Sequence, residues 1–385
     1  MPRVTGTYRT ATVGGEKIRA YLPRRLPPAN PPLELSESLT SLHSEGMAAL
    51  GRLTIAGQMV PSADWFLYGF VRKEAVITSQ IEGTQATLQD VLSFEATRQT
   101  DRPDDVEEVC NYVDALSYAR RELTRPKGLP LSTRLLCEAH KRLMKGSRGA
   151  DKHPGEIRRS QNWIGGTRPG NARFVPPLPE QVPEALSDLE RWLHAPDPLP
   201  RLIRAGLAHV QFETIHPFLD GNGRIGRLLI ALLLQHWDLL PAPLLYLSLA
   251  FKRHQSEYYQ RLSAVRTDGD WEGWTAFFLE CVREAADDGV TTAQRLFARM
   301  NQDRQTLLSH PRATIPAIRL FDLLPEHPIV TMTTVMTLLQ TTKPTATKAI
   351  DSLRQAHLLH ETTGRLRDRV YAYRGYLHIL TKDTE

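Results

Sequence analysis

Twelve residues, His216-Pro-Phe-Leu-Asp-Gly-Asn-Gly-Arg-Ile-Gly-Arg227, bring together a base, an acid, a glycine-rich turn and two cations. His216 is the side chain there whose unperturbed pKa lets it accept a proton near neutrality. Asp220 is a carboxylate suited to a magnesium ion that already carries phosphate. Gly221 and Gly223 flank Asn222 and let the backbone turn sharply and approach a ligand closely. The apolar run from Ile225 to Leu234 reads as a helix. The N-terminus of a helix offers unpaired N–H groups and a positive dipole end, which together make an anion site. Successive loop amides add a concave nest for phosphate oxygens. Arg224 and Arg227 lie three apart and share a helix face near that end. The chemistry indicated is the handling of a polyphosphate beside a general base. A lone Gly-Asn-Gly would say little, but these features together argue against a bare surface turn.

The loop needs a helix on each side. Leu202 to Thr214 is amphipathic and gives out at Ile215-His216-Pro217, so the reading is helix, glycine loop, helix. The stretch matches without departure the His-Pro-Phe-x-Asp/Glu-Gly-Asn-Gly-Arg-x-x-Arg signature, and so resembles the Fic family. The resemblance implies transfer of AMP from ATP, with Mg2+, to a Ser, Thr or Tyr hydroxyl of a target protein, the chain itself included. In that scheme His216 takes the hydroxyl proton and Asp220 holds the metal. Gly221, Asn222, Gly223, Arg224, Ile225, Gly226 and Arg227 form the phosphate-binding stretch.

Other motifs join this scheme. Thr78-Ser-Gln-Ile-Glu82-Gly83 resembles the family's inhibitory Ser/Thr-x-x-x-Glu-Gly/Asn string, with Thr78 and Glu82 four apart on one helix face. Glu82 is expected to pair with Arg227, the guanidinium that the γ-phosphate needs. Two short strands around Gly165-Gly166-Thr-Arg-Pro-Gly170, ending at Phe174 and Val175, read as a hairpin. It is similar to the Fic flap, whose edge pairs with the target. Tyr258, of Tyr258-Tyr259, matches by motif order a tyrosine near the adenine. Where some relatives have an asparagine for the base, this chain has Val265-Arg266-Thr267.

The expected fold is mostly α: a helical Fic core with a β-hairpin flap, plus a C-terminal winged-helix (α+β) domain. Residues 1–115 would be an N-terminal arm and a helical segment carrying the inhibitory motif, with Ser62 capping a helix. Residues 116–290 would be the Fic core, with composition changing after Gly146-Ser-Arg-Gly149. Residues 291–310 would be a linker helix and 311–385 the winged helix. In the tail, Lys343, Lys348, Arg354, Arg365, Arg367 and Arg369 could meet DNA phosphates, although Asp351, Glu361 and Asp368 dilute that face.

Composition sets outer bounds. A net charge of +5 permits nucleic-acid contact without demanding it. Cys110, Cys137 and Cys281 have no metal or redox spacing and read as buried thiols of a reducing compartment. The start lacks a secretion signal, and the longest apolar region, Ile225 to Phe251, is broken by charged residues and prolines. A cytoplasmic protein without a membrane span is expected, and a homodimer is left open. Three rival readings remain: removal of AMP from a target by the same site, transfer of another group, and a DNA-binding regulator whose core senses nucleotide.

Overall fold

The structure, a computed structural model, describes residues 3–59, 63–146 and 150–385. Ser62 and the stretch 147–149 lie outside the described residues. Two compact units are formed. The first takes the residues up to Gly51, Cys110–Pro243 and Leu247–Ala285; the second takes Arg52–Val109, Leu244–Tyr246 and Ala286–Glu385.

This division departs from the linear one expected above. The N-terminal arm belongs with the core, whereas the segment carrying Thr78 and Glu82 belongs with the tail. Within the second unit, Gln80 donates from Nε2 to the Thr384 carbonyl at 3.0 Å, and Leu380 lies 2.9 Å from where a Cβ on Gly69 would stand. Such contacts join residues far apart in sequence and leave no mark in local composition.

The first unit is built around two helices, Arg201–Ile215 and Asn222–His236, packed on each other. Every residue from Leu202 to Ile215 is buried, the condition of a helix enclosed on all sides. Several of its polar side chains find partners inside the protein. Arg204 donates to the Trp192 carbonyl at 2.6 Å, Gln211 donates to the Arg24 carbonyl at 2.8 Å, and His209 meets the Tyr258 hydroxyl at 2.8 Å. The missing Cβ of Gly206 makes room for Phe278, and Trp274 donates to the Gly206 carbonyl at 3.0 Å. The helix Thr133–Leu143 starts at Ser132, whose Oγ accepts from the Leu135 N–H, and buries Leu135, Leu136, Ala139, His140 and Leu143.

The N-terminal arm is an antiparallel hairpin, Gly6–Val13 with Glu16–Pro23, in full eight-residue register. Gly14 and Gly15, both at positive φ, make its two-residue turn. The expected flap hairpin is reduced to one antiparallel bridge, Ile164 with Phe174.

In the second unit the helix Ala63–Ile81 ends at Gly83, whose φ is +100°. The tail holds helices Ile315–Leu323, Met332–Leu339, Lys343–Gln355 and Arg374–Leu380. Its three-stranded antiparallel sheet places Val370–Ala372 between Ile329–Thr331 and His360–Glu361. The expected linker is the end of one 39-residue helix, Trp271–Ser309. Its Asp303 accepts from Tyr373 at 2.6 Å, which ties that end to the tail. Among the described residues, no helix is long and apolar enough to cross a membrane.

Candidate active site

The helix Arg201–Ile215 stops at His216, which adopts left-handed φ 49° and ψ 63° and keeps its N–H on the Phe212 carbonyl at 2.9 Å. The last carbonyls of such a helix need donors. Arg158 supplies them, its Nε bonding the His216 carbonyl at 2.9 Å and its backbone N–H the Pro217 carbonyl at 2.9 Å. Its Nη2 reaches the Pro177 carbonyl at 2.5 Å. Burial brings this guanidinium down to about 10. Asn162 Nδ2 adds a bond to the Phe218 carbonyl at 2.9 Å. The backbone of the loop is thereby fastened to the chain leading into the flap.

The His216 ring turns Nδ1 toward the Glu213 carbonyl at 3.3 Å and the Glu213 carboxylate at 3.9 Å. A carbonyl oxygen only accepts, so Nδ1 is the donor in this contact and Nε2 is the ring nitrogen that Glu213 does not engage.

The turn after His216 is clasped by Asn222. Its Oδ1 accepts from the Phe218 N–H at 2.8 Å, and its Nδ2 donates to the Phe218 carbonyl at 2.8 Å. Gly221 caps the second helix at φ 74°, and a Cβ there would stand 2.8 Å from Met144 Sδ. Two constraints thus select glycine: the left-handed backbone and the close neighbour. Gly226 has a packing role as well, since a Cβ would stand 2.4 Å from Glu213 Oε1. Ile225 is fully buried in the core, while Arg224 and Arg227 are nearly so. Arg224 Nη2 is 3.7 Å from Asp220 Oδ1.

His140 was not singled out in the sequence. Its Nδ1 accepts from the Gly155 N–H at 2.9 Å, so its Nε2 bears the hydrogen that is donated to the Asp220 carbonyl at 3.0 Å. The ring stacks on Phe218 at 3.8 Å, and burial lowers its pKa to about 4. This neutral histidine therefore fixes the loop from beneath. Arg158 and Glu213 were also missed. Glu213 carried one signal, a carboxylate within a largely apolar helix, whereas Arg158 stands among polar neighbours and carried none.

The structure also gives the surroundings of the flap pair and of Tyr258. Phe174 and Val175 do not offer a free edge. Phe174 has its N–H and C=O on Ile164, and the Val175 carbonyl accepts from Tyr21 N–H at 2.9 Å. Both side chains are buried, with Arg266 lying 4.0 Å over the Phe174 ring. Tyr258 is likewise in the core, its hydroxyl on His209 and its ring against Phe251 at 4.6 Å; Tyr259 is the exposed member of the pair. Burial lowers the His209 pKa to about 3, so this bond is made by a neutral imidazole. Thr78, buried, and Glu82, exposed, lie in the second unit.

Asp220 is half-exposed, and its Oδ1 accepts from the Gly221 N–H at 2.5 Å. One accessible carboxylate fits a magnesium ion that draws its other ligands from phosphates and water. Among the described residues, no cluster of three His, Cys, Asp or Glu could hold a metal unaided.

Residues 40–121 match the Fic/DOC family N-terminal model, and residues 130–234 match the Fic/DOC family model. Among curated relatives, the protein adenylyltransferase Fic of Drosophila erecta is 29% identical over 212 residues, covering 54% of this chain and 39% of the relative. That of Drosophila melanogaster is 28% identical over 212 residues, with the same shares. The aligned part therefore spans well under half of those relatives. Among solved structures, a Fic family protein from Desulfovibrio desulfuricans G20 is similar at TM-score 0.59 and 22% identity, over 89% of this chain and 98% of that one. Fic-1 from C. elegans gives TM-score 0.50 at 20% identity, over 66% and 74%. These structural likenesses concern the fold. Both family models are matched in order and the signature stands at the helix junction, so this chain carries a Fic/DOC family N-terminal region over residues 40–121 and a Fic/DOC family region over residues 130–234.

Proposed function

We propose that this chain transfers AMP from ATP to a Ser, Thr or Tyr hydroxyl of a protein. The observation that carries the reading is the placement of His216: its Nδ1 faces the Glu213 carbonyl and carboxylate, beside the N-terminus of the helix Asn222–His236. His216 Nε2 takes the hydroxyl proton as the oxygen bonds to the α-phosphorus. The bond from that phosphorus to the bridging oxygen breaks, and pyrophosphate leaves with the electron pair. N–H groups in the first turn of Asn222–His236 stabilise charge on the phosphate oxygens, and Arg224 and Arg227 orient the outer phosphates. Asp220 would hold Mg2+, which neutralises phosphate charge when bound. The curated relatives' name, adenylyltransferase, supports the same reading.

Two finer readings accompany it. Glu82, just past the helix Ala63–Ile81, acts as an inhibitor of the site. The tail is a winged helix, its helix pair Met332–Leu339 and Lys343–Gln355 followed by a wing around Gly364. Leu366 at that wing is strongly exposed, as are Arg365 and Arg367.

Incubation with ATP labelled on the α- or the γ-phosphate tests the chemistry. Label from the α-phosphate alone should appear on protein. Label from the γ-phosphate would replace the reading with phosphoryl transfer, and release of AMP from a labelled protein would favour the reverse reaction. For the tail, a gel shift with the full chain should weaken steeply with salt if phosphates are contacted. No shift at low salt would remove DNA binding from the reading.

A further inference from the structure

On its Val175 side, the flap is already met by the chain itself. Tyr21 donates to the Val175 carbonyl, and Tyr21 lies on the inner strand of the N-terminal hairpin. Ile18, Ala20 and Val175 form one buried cluster, with Ala11, Val13, Ala172 and Leu178 against it. At the turn, the Glu16 carboxylate accepts from Arg168 Nη1 at 2.7 Å and from the Gly170 N–H at 2.6 Å. The Arg168 bond holds that carboxyl below its usual range. A strand held by main-chain, ionic and apolar contacts at once is a fixture and not a plug that an incoming chain displaces.

The hairpin is tied to the catalytic loop by a continuous path. Arg158 bonds both the His216 and the Pro177 carbonyls, Pro177 follows Val175 by two residues, and Val175 bonds Tyr21. The outer strand Gly6–Val13 then lies two strand spacings, roughly 10 Å, from the flap strand. Among the described residues, that strand is paired along one edge, toward Glu16–Pro23. Its outward face carries exposed Tyr8, Thr10 and Thr12, opposite Tyr21, Arg19 and Lys17. From Gly6 to Arg25 there are five cationic residues (Arg9, Lys17, Arg19, Arg24, Arg25) against one carboxylate, Glu16, which Arg168 engages. Among the described residues, Arg9, Lys17 and Arg19 have no ion-pair partner, and Arg19 lies 4.5 Å over the Tyr8 ring.

We propose that the outer strand Gly6–Val13 is the docking edge for an extended, acidic segment of the target protein. The segment adds to the sheet through main-chain bonds, while Arg9, Lys17 and Arg19 select its charge. This rests on the reading that the chain modifies proteins, and it moves target pairing from the flap to the hairpin that covers it.

The test uses the full chain and a fluorescent peptide of four Glu-Thr repeats, with a Lys-Thr peptide as control. Binding is read by anisotropy, independently of catalysis. The acidic peptide should bind and the basic one should not. Lys17→Glu with Arg19→Glu, both exposed and outside the catalytic machinery, should weaken binding at least about tenfold. N-methylation of alternate peptide amides should weaken binding when it blocks one edge and not the other, because a strand pairs through one edge at a time. Equal affinity in wild type and the charge-reversed variant, or indifference to methylation on both edges, overturns the proposal. The catalytic reading fails separately: peptide binding would persist with no α-phosphate label on any protein. Failure of docking alone would leave that labelling intact.

Discussion

Replacing His140 with Phe isolates what a neutral buried histidine contributes to the loop. Phe keeps the stack on Phe218 but removes both hydrogen bonds, leaving the Gly155 N–H and the Asp220 carbonyl without their ring partner. Each group left unmet in a buried setting costs about 1–3 kcal/mol. Some of this is offset by the more apolar ring, so a loss of roughly 2–3 kcal/mol is expected at pH 7. The pH dependence is more diagnostic. The folded His140 has its pKa lowered from 6.5 to about 4, so the unfolded chain binds the proton first as pH falls. Its contribution is complete above pH 6.5 and declines as pH drops toward 4. Between pH 7 and pH 5 the wild type should lose about 2 kcal/mol on this account. The variant lacks that proton uptake, so the stability gap between the two proteins should shrink by about 2 kcal/mol over the same interval. His209, also held neutral, is present in both and cancels. Urea unfolding at pH 7, 6 and 5 measures the gap. Parallel stability curves would show that His140 is not the neutral donor described.

His216→Ala should abolish AMP transfer while ATP binding, measured by calorimetry, stays within about threefold, since the ring acts on the hydroxyl and not on the phosphates. Glu82→Gly should raise self-modification or target labelling by at least about tenfold, or roughly 1.4 kcal/mol of barrier; an unchanged rate would make Glu82 an ordinary helix-end residue. Gly226→Ala drives a methyl into the Glu213 carboxylate, so transfer should fall more than about tenfold and the pH–rate profile of kcat should shift. An unaltered profile would detach Glu213 from the His216 ring.

What could be read from the sequence was what chemistry concentrates locally. His216, Asp220, Gly221 and the two arginines sit within one turn and helix start, so their types and spacing declared the loop. His140, Arg158 and Glu213 act on that loop through space, and nothing in the order of residues says that a histidine 76 positions before His216 touches Asp220. The N-terminal hairpin was legible in principle: Gly14-Gly15 between Val13 and Glu16 is a two-residue turn signal, overshadowed by the prolines that follow. For Tyr258 and Tyr259, motif order says nothing of burial. Adjacent helical residues point in different directions, and the core took Tyr258 into its aromatic cluster with Phe251 and Trp274. The grouping of the Glu82 segment with the tail depended on contacts such as Gln80 with Thr384, which only folding reveals.

The left-handed backbone at His216 carries a consequence for how this protein is able to change. A side chain with a Cβ is disfavoured in that conformation by about 1–2 kcal/mol, and glycine is the residue that suits it. Selection for folding alone would therefore drift toward glycine at 216, and His216→Gly should unfold at a higher denaturant concentration than the native chain. A loss of stability instead would mean that the imidazole contacts outweigh the backbone strain. Catalysis and robustness are thus opposed at one position. A descendant freed from the reaction would be recognised by a more stable loop in which the base has gone and Arg158, Asn162 and Asn222 remain.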